Sequence, residues 1–347
     1  MRIAHVMAGA TSGGAELFFE RLALALHRAG DTILPVIRRD PGRAGRLAAG
    51  GLAPLQLRFG GALDLLTRQR VAAALHGFAP RVVVAWMNRA ARQTPPGDWV
   101  LAGRLGGYYD LRYYRACDHL IGNTRGIVSW IRGQGWPAAR VHHLPNFAPD
   151  FALDFALGLP VAEPEALPVP PGAPLVLALG RLHRNKAFDI LVRAIPLLPG
   201  VHVVIAGDGP ERAALISLAR DLGVHERLCL PGWRTDQAAL LARCDLLACP
   251  SRHEPLGNVV IEAFSAGRPV VAADAAGPAE LIVPDRDGLL VPREDPEALA
   301  AAIASVLARP ALAARLGHAG RARYEAEHAE APVLALWRTA LAAMERA

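Results

Sequence analysis

Short apolar runs without polar alternation recur along the whole chain. In the second half they lie at 175–179, 201–206, 228–230, 245–249, 269–273 and 289–291. Such runs predict strands buried on both faces, as in a parallel sheet covered by helices. Predicted helices separate them at 187–198, 211–222, 236–243, 258–266 and 296–308. We therefore predict an α/β, doubly wound Rossmann-like fold, in which ligands bind beyond the carboxyl ends of the strands.

The first half shows the same pattern, and the chain of 347 residues is too long for one core. Its predicted strands are 2–7, 33–37, 82–86, 99–102, 119–122 and 141–144. A segment with five prolines, 158–172, predicts a linker between a first domain, 1–157, and a second, 173–329. The apolar residues of 330–347 predict a final helix that needs a surface to pack on, and the first domain could provide it.

Composition predicts a cytoplasmic globular protein. Hydrophobic residues make up 52% of the chain, yet no apolar run approaches the roughly 20 residues of a membrane span. Residues 2–6 predict a strand rather than a signal peptide. The four cysteines lack metal-ligand spacing, which favours reduced thiols.

Charge is unevenly distributed. Residues 1–150 contain 19 Arg and 9 Asp plus Glu, which gives a net charge of +10. Residues 151–347 contain 19 basic and 23 acidic residues, which gives a net charge of −4. The basic half suggests an anionic partner, for which anionic lipid, a phosphorylated acceptor and nucleic acid all qualify. A solvated arginine-rich surface explains the same counts.

Lys186 is the single lysine among 38 basic residues. It follows the predicted strand 175–179 together with Gly180 and Arg181, at the ligand-binding edge of the sheet. A diphosphate needs such cations, because arginine offers a planar fork and lysine a compact point charge. The alternative is a basic turn that faces water.

Glu254 and Glu262 flank a second strand-to-helix connection. Between them, Gly257 permits a tight bend, and the first amides of the following helix, at Asn258, Val259 and Val260, predict an anion site. Carboxylates suit the hydroxyl groups of a sugar or ribose. A surface carboxylate and a helix-dipole carboxylate are the alternative.

These segments resemble GT-B fold glycosyltransferases of family 4, the glycosyl transferases group 1, over about residues 173–308. The matching words are Gly180-Arg181 with Lys186, Gly207-Asp208-Gly209-Pro210, and Glu254 with Glu262. The resemblance implies two Rossmann-like domains that face across a cleft. It also implies that Arg181 and Lys186 bind the diphosphate of a nucleotide sugar, Glu254 the sugar, and Glu262 the ribose. Gly232-Trp233 would then lie near the base.

The first domain resembles the family less closely. Gly13-Gly14 resembles the loop that meets the donor phosphates and the acceptor. Many members carry a catalytic His where this chain has 103–109, which contains none. Arg104 or Tyr108 could contact the donor sugar or the acceptor instead.

The resemblance implies retaining glycosyl transfer, in which Glu254, Lys186 and Arg181 act at the reacting centre and no metal takes part. The expected partners are a nucleotide sugar and a glycan or lipid-linked acceptor of the cell envelope, without nucleic acid. The basic first half suggests peripheral contact with the anionic inner face of the membrane. A sugar-nucleotide epimerase, a non-catalytic sugar-nucleotide-binding protein and, with less support, a dinucleotide oxidoreductase are the alternatives.

Overall fold

The chain forms two α/β units. The computed structural model describes residues 1–11, 13–60, 64–152 and 167–346. Unit 1 comprises Met1–Phe147 and the segment from Glu330 onward, and unit 2 comprises Ala148–Ala329. Within the described ranges, each unit contains one sheet in which all neighbouring strands are parallel.

The sheet of unit 1 has the order β3-β2-β1-β4-β5-β6-β7. Its strands are β1 (Arg2–Met7), β2 (Thr32–Arg38), β3 (Leu55–Leu57), β4 (Val82–Trp86), β5 (Val100–Leu105), β6 (His119–Gly122) and β7 (Val141–His143). The helices among them are α1 (Gly14–Arg28), α2 (Pro41–Ala49), α3 (Leu65–Phe78), α4 (Met87–Gln93) and α5 (Arg125–Gly133).

The sheet of unit 2 has the order β10-β9-β8-β11-β12-β13. Its strands are β8 (Leu175–Leu179), β9 (His202–Ala206), β10 (Leu228–Cys229), β11 (Leu246–Cys249), β12 (Val270–Ala273) and β13 (Leu289–Val291). Its helices are α6 (Phe188–Ala194), α7 (Arg212–Asp221), α8 (Gln237–Arg243), α9 (Asn258–Ser265), α10 (Ala276–Leu281), α11 (Pro296–Leu307) and α12 (Pro310–Arg323).

Each sheet is covered by apolar side chains on both faces, as the unbroken apolar runs predicted. In β8, for example, Val176 and Ala178 face one core, whereas Leu175, Leu177 and Leu179 face another. All five residues are buried. The predicted doubly wound α/β class is confirmed, because both sheets are parallel and their strand order reverses direction beside β1 and β8.

Several boundaries differ from the prediction. The first domain was predicted to end at 157, but unit 2 begins at Ala148. Phe151 packs into a core of unit 2, and the Tyr324 hydroxyl donates to the carbonyl oxygen of Ala148 over 3.0 Å. Most of the predicted linker, 158–166, lies outside the described residues. The helix predicted at 187–198 ends at Ala194, and a 3-10 turn containing Pro196 follows.

The final helix, α13 (Glu330–Arg346), belongs to unit 1. Trp337 is fully buried there and stacks on Trp86, with ring centroids 6.3 Å apart. Its indole N–H donates to the carbonyl oxygen of Pro145 over 3.2 Å. The apolar side chains of this helix therefore pack into the core of unit 1.

No single helix in the described ranges is long and apolar enough to cross a membrane. One bent pair, Pro296–Leu307 with Pro310–Glu345, reaches the required length and composition only when its two members are taken together.

Candidate active site

The predicted diphosphate site lies at the switch point of unit 2. Strands β8 and β11 are neighbours in the sheet, but the chain runs from β8 to β9 on one side and from β11 to β12 on the other. The two connections therefore diverge and leave a crevice beyond the carboxyl ends of these strands. One connection carries Arg181 and Lys186, and the other carries Glu254.

Lys186 and Glu254 form an ion pair between these two connections, through Nζ and Oε2. Ser251 Oγ donates to the same carboxylate oxygen over 3.2 Å. The Lys186 side chain is 24% exposed and that of Glu254 is 10% exposed, so both charges are partly withdrawn from water. Burial lowers the pKa of Lys186, but the Glu254 carboxylate and other nearby groups outweigh it, and the net pKa is raised. The lysine is therefore a permanent cation at neutral pH.

Backbone contacts hold the two connections together beside this pair. The His253 amide donates to the carbonyl oxygen of Asn185 over 3.1 Å. Arg252 binds both carboxylate oxygens of Asp189, each over 2.7 Å, and donates to the carbonyl oxygen of Arg184 over 2.9 Å. These bonds set the position of Lys186 relative to Glu254. His183 and His253, which lie on these two connections, are exposed.

Three glycine turns meet at the next strands of the same edge. The Gly180 amide donates to the carbonyl oxygen of Ala206 over 3.1 Å, and the Gly207 amide donates to that of Gly232 over 2.8 Å. A Cβ on Gly207 would lie 1.8 Å from the carbonyl oxygen of Gly180, so no larger residue fits. Trp233, next to Gly232, is 48% exposed and so offers an aromatic face at this edge.

Gly257 caps α9 in the left-handed conformation, with φ 93°. The prediction of three free amides at this helix start is wrong for Val260, because its amide donates to the carbonyl oxygen of Gly257 over 2.9 Å. Asn258 and Val259 are half-buried at the start of the helix. Glu262, one turn further, is 4% exposed and raises the pKa of Lys186 from nearby.

Arg181 is exposed and, within the described part of the chain, its side chain makes no hydrogen bond or ion pair. It follows Gly180 directly, at the end of β8. The structure therefore presents a paired cation, Lys186, and an unpaired cation, Arg181, at the same sheet edge. Ser251 was missed by the sequence interpretation, because a serine after a strand has no distinguishing pattern.

Gly13 and Gly14 lie in unit 1, at the start of α1. Glu16, the last residue of the sequence motif Gly13-Gly14-Ala15-Glu16, turns back over this loop and accepts from the Ala10 amide over 2.8 Å. A Cβ on Gly13 would lie 2.4 Å from a Glu16 carboxylate oxygen. The glycine is thus required by the folded position of Glu16.

Arg104 and Tyr108, the residues considered in place of the missing His, are in contrasting environments. Tyr108 is 47% exposed. Arg104 is fully buried, lies over the Trp86 ring at 4.4 Å, and donates to Asn146 Oδ1 over 2.6 Å. Burial lowers the pKa of Arg104 to about 10. Its Nε and Nη1 have no hydrogen-bond partner among the described residues.

A search of the described side chains finds no group of three or more His, Cys, Asp or Glu arranged to hold a metal ion. The four cysteines carry free thiols.

Comparison with known proteins assigns the family. The model of the glycosyl transferases group 1 matches residues 162–323. The lipopolysaccharide core biosynthesis glycosyltransferase LpsE of Rhizobium meliloti (strain 1021) is 34% identical over 326 residues, which cover 92% of this chain and 93% of that protein. This chain belongs to the group 1 glycosyltransferase family. It is an enzyme, a glycosyltransferase, as the resemblance implied.

Solved structures show the same fold. The Anabaena protein Alr3699/HepE, solved in complex with UDP-glucose, superposes with a TM-score of 0.82 at 22% identity, covering 99% of this chain and 100% of that one. A glycosyltransferase from Rickettsia africae ESF-5 superposes with a TM-score of 0.83 at 16% identity, covering 99% and 98%. The predicted GT-B architecture, with two Rossmann-like domains, is confirmed.

Proposed function

We propose that this glycosyltransferase moves a hexosyl or related sugar from a nucleotide-diphosphate sugar to a hydroxyl group of a cell-envelope glycan or glycolipid. We further propose that it belongs to the retaining family 4 and uses no catalytic metal. The observation that carries the proposal is the ion pair of Lys186 and Glu254 at the switch point of unit 2. It combines a cation for the diphosphate with a carboxylate for the sugar at one sheet edge.

The donor diphosphate would bind where positive charge is available. Arg181 is exposed and unpartnered within the described chain, and Lys186 remains charged at neutral pH. Each charge-assisted bond of this type contributes about 1.5–3 kcal/mol. The amides at the start of α9, at Asn258 and Val259, would add dipolar stabilisation. The complex of Alr3699/HepE with UDP-glucose supports a nucleotide sugar as the donor.

The remaining donor contacts would come from carboxylates and from one aromatic ring. Glu254, next to Lys186, would accept hydrogen bonds from the sugar hydroxyls, and the more buried Glu262 would accept them from the ribose. The exposed ring of Trp233 would stack on the base. This assignment places the sugar beside the cation that stabilises its leaving group.

Retention would follow from attack on the face that the diphosphate leaves. The bond between the anomeric carbon and the phosphate oxygen breaks, and the acceptor oxygen forms its bond to the same face of that carbon. The acceptor proton passes to the departing phosphate oxygen. Lys186 and Arg181 would stabilise the negative charge that develops on the diphosphate, which is the task a metal performs elsewhere.

We assign acceptor recognition to unit 1. Residues 1–150, which include nearly all of this unit, have a net charge of +10, whereas residues 151–347 have a net charge of −4. LpsE is named for lipopolysaccharide core biosynthesis, and this supports an envelope acceptor. We propose that the enzyme works in the cytoplasm and binds peripherally to the inner face of the membrane.

A donor screen tests the proposal directly. Purified protein is incubated with UDP, GDP and their glucose conjugates while its thermal unfolding is followed, because a bound donor stabilises the fold. We expect one nucleotide series to raise the Tm, and the same series to release its sugar in the presence of EDTA. Glu254→Gln should retain nucleotide diphosphate binding but lose the added stabilisation from the sugar. If Glu254→Gln binds the complete donor as wild type does, the assignment of Glu254 to the sugar is wrong.

A further inference from the structure

Unit 1 contains a cavity of about 470 Å³ beyond the carboxyl ends of its central strands. Arg38, the last residue of β2, lies on one side of it, and Phe59 follows β3. On the other side, α4 directly follows β4 and contributes Asn88, Arg89 and Arg92. Because β1 lies between β2 and β4, the cavity spans the switch point of this sheet, where a doubly wound domain binds ligands.

The charge in this cavity is uncompensated. Its three arginines, Arg38, Arg89 and Arg92, are exposed, and within the described chain none of their side chains makes a hydrogen bond or an ion pair. The described lining includes no acidic side chain. The neighbouring arginines Arg43 and Arg46, in contrast, are both paired with Glu20. Unit 1 thus has carboxylates for some of its arginines but none at these three.

Other lining groups suit a saccharide. Asn88 is half-buried and lines the cavity, and a side-chain amide suits the hydroxyl groups of a sugar. Tyr113 is half-buried and offers its ring in the same cavity, which Phe59, a core residue that is 1% exposed, also lines. The volume lies in the range typical of small-ligand sites, about 300–1,000 Å³. An anionic sugar would use the cations, the Asn88 amide and the Tyr113 ring together.

Two residues next to the cavity have left-handed backbones although neither is glycine. Phe59 has φ 45°, and Met87, which begins α4, has φ 62°. Such conformations are unfavourable for an L-residue, and backbone strain of this kind is concentrated at functional sites. The Met87 conformation sets the direction in which α4 leaves β4, and thereby the position of Asn88, Arg89 and Arg92.

We infer that this cavity binds the anionic group, a phosphate or a carboxylate, of the acceptor saccharide. The arginine forks match the geometry of these oxyanions. The inference rests on the proposed function, since it names the chemical class of the acceptor that unit 1 would recognise. It also extends that proposal, because it predicts that a neutral saccharide is a poor acceptor.

Titration calorimetry with glucose 6-phosphate, with neutral glucose as the comparison, tests the inference on the full chain. We expect wild type to bind glucose 6-phosphate at least tenfold more tightly than glucose. Arg38→Gln, Arg89→Gln and Arg92→Gln should each weaken that binding about tenfold or more. Arg70→Gln is the matched control, because Arg70 is an exposed arginine of α3 that does not line the cavity. Unchanged Tm and UDP binding would show that the variants fold and that unit 2 is intact.

Several results would overturn the inference. Equal binding of the phosphate and neutral sugars, or an equal loss in Arg70→Gln, would show that the cavity does not recognise an anion specifically. Vesicles of phosphatidylglycerol and phosphatidylcholine provide a second arm. If the cavity variants lose binding to anionic vesicles but keep glucose 6-phosphate, the arginines contact the membrane instead. The sugar phosphate titration does not depend on transfer, so failure of the donor screen would not be confused with failure of this site.

Discussion

Replacing Lys186 with methionine removes the charge of the central ion pair while keeping an unbranched side chain of similar length. In the structure Lys186 neutralises Glu254, whose carboxylate also accepts a hydrogen bond from Ser251. Loss of one charge-assisted bond to the diphosphate costs about 1.5–3 kcal/mol. At about 1.4 kcal/mol per tenfold change, UDP should therefore bind roughly 10- to 150-fold more weakly.

Without the lysine, the negative charge of Glu254 is no longer neutralised, and its repulsion of the diphosphate would add to that loss. Two like charges about 6 Å apart repel by about 3 kcal/mol at an effective dielectric constant of about 20. The double variant Lys186→Met with Glu254→Gln removes this repulsion, so it should bind UDP more tightly than Lys186→Met alone. This reversal separates an electrostatic role from a loss of folding, because a second substitution does not repair a misfolded site.

Calorimetry with UDP provides the measurement, and Arg220→Gln provides the control, since Arg220 is an exposed arginine of α7. The lysine pKa is raised above its ordinary value of 10.5. Its charge therefore persists at every pH below about 10.5 and is lost only as the pH rises through the folded value. The ratio of wild-type to Lys186→Met affinity should not change between about pH 7.5 and 9, where the terminal phosphate of UDP, with a second pKa of about 6, is also fully charged. UDP affinity within twofold of wild type in Lys186→Met would refute the assignment.

Three further predictions concern the fold. Gly207→Ala should lower the free energy of unfolding in urea by about 3 kcal/mol, because its Cβ would overlap a carbonyl oxygen. Gly200→Ala, with open space around the new Cβ, should lower it by only about 1 kcal/mol. Equal losses in the two variants would contradict the overlap. Trp337→Ala should lower the free energy of unfolding by about 4 kcal/mol. Leu336, which is 50% exposed, is the control, and Leu336→Ala should lower it by under about 0.5 kcal/mol. A Trp337→Ala variant as stable as wild type would show that α13 is dispensable to unit 1. Burial lowers the pKa of His5 from 6.5 to about 3. As the pH falls, the unfolded chain therefore binds a proton at this histidine before the folded chain does. About 2 kcal/mol of folding stability is lost between about pH 7.5 and 5 as a result. His5→Gln should lose that part of the pH dependence, and an unchanged dependence would argue against the buried neutral histidine.

Several features of the fold could be predicted because they depend on local pattern. Strands such as β1 and β8 have unbroken apolar runs. Helix α11 begins with Pro296 after the capping Asp295, whose side chain accepts from the Ala298 amide over 2.8 Å, and this is a local sequence pattern for a helix start. Strand β3 was missed, since three residues are too few for a periodic signal. Helix α12 was missed too.

The candidate site divides in the same way. Lys186 was identifiable from its uniqueness, and Arg181 and Glu254 from their positions after predicted strands. The pairing of Lys186 with Glu254 could not be predicted, because the two residues are 68 positions apart and meet only when β8 and β11 become neighbours. The use of the Val260 amide within its own turn likewise depends on the left-handed Gly257.

Local residue order alone therefore determines which segments become strands, where the glycine turns lie and which charged side chains follow them. Short-range sterics and hydrophobic periodicity depend only on neighbours in the chain. Which cations remain unpaired depends on long-range contacts. Glu20 reaches Arg43 and Arg46 across α1 and α2, whereas Arg38 and Arg89 find no carboxylate within the described chain. Uncompensated charge is a property of the three-dimensional arrangement, since it depends on which opposite charges the packed helices bring within a few ångströms.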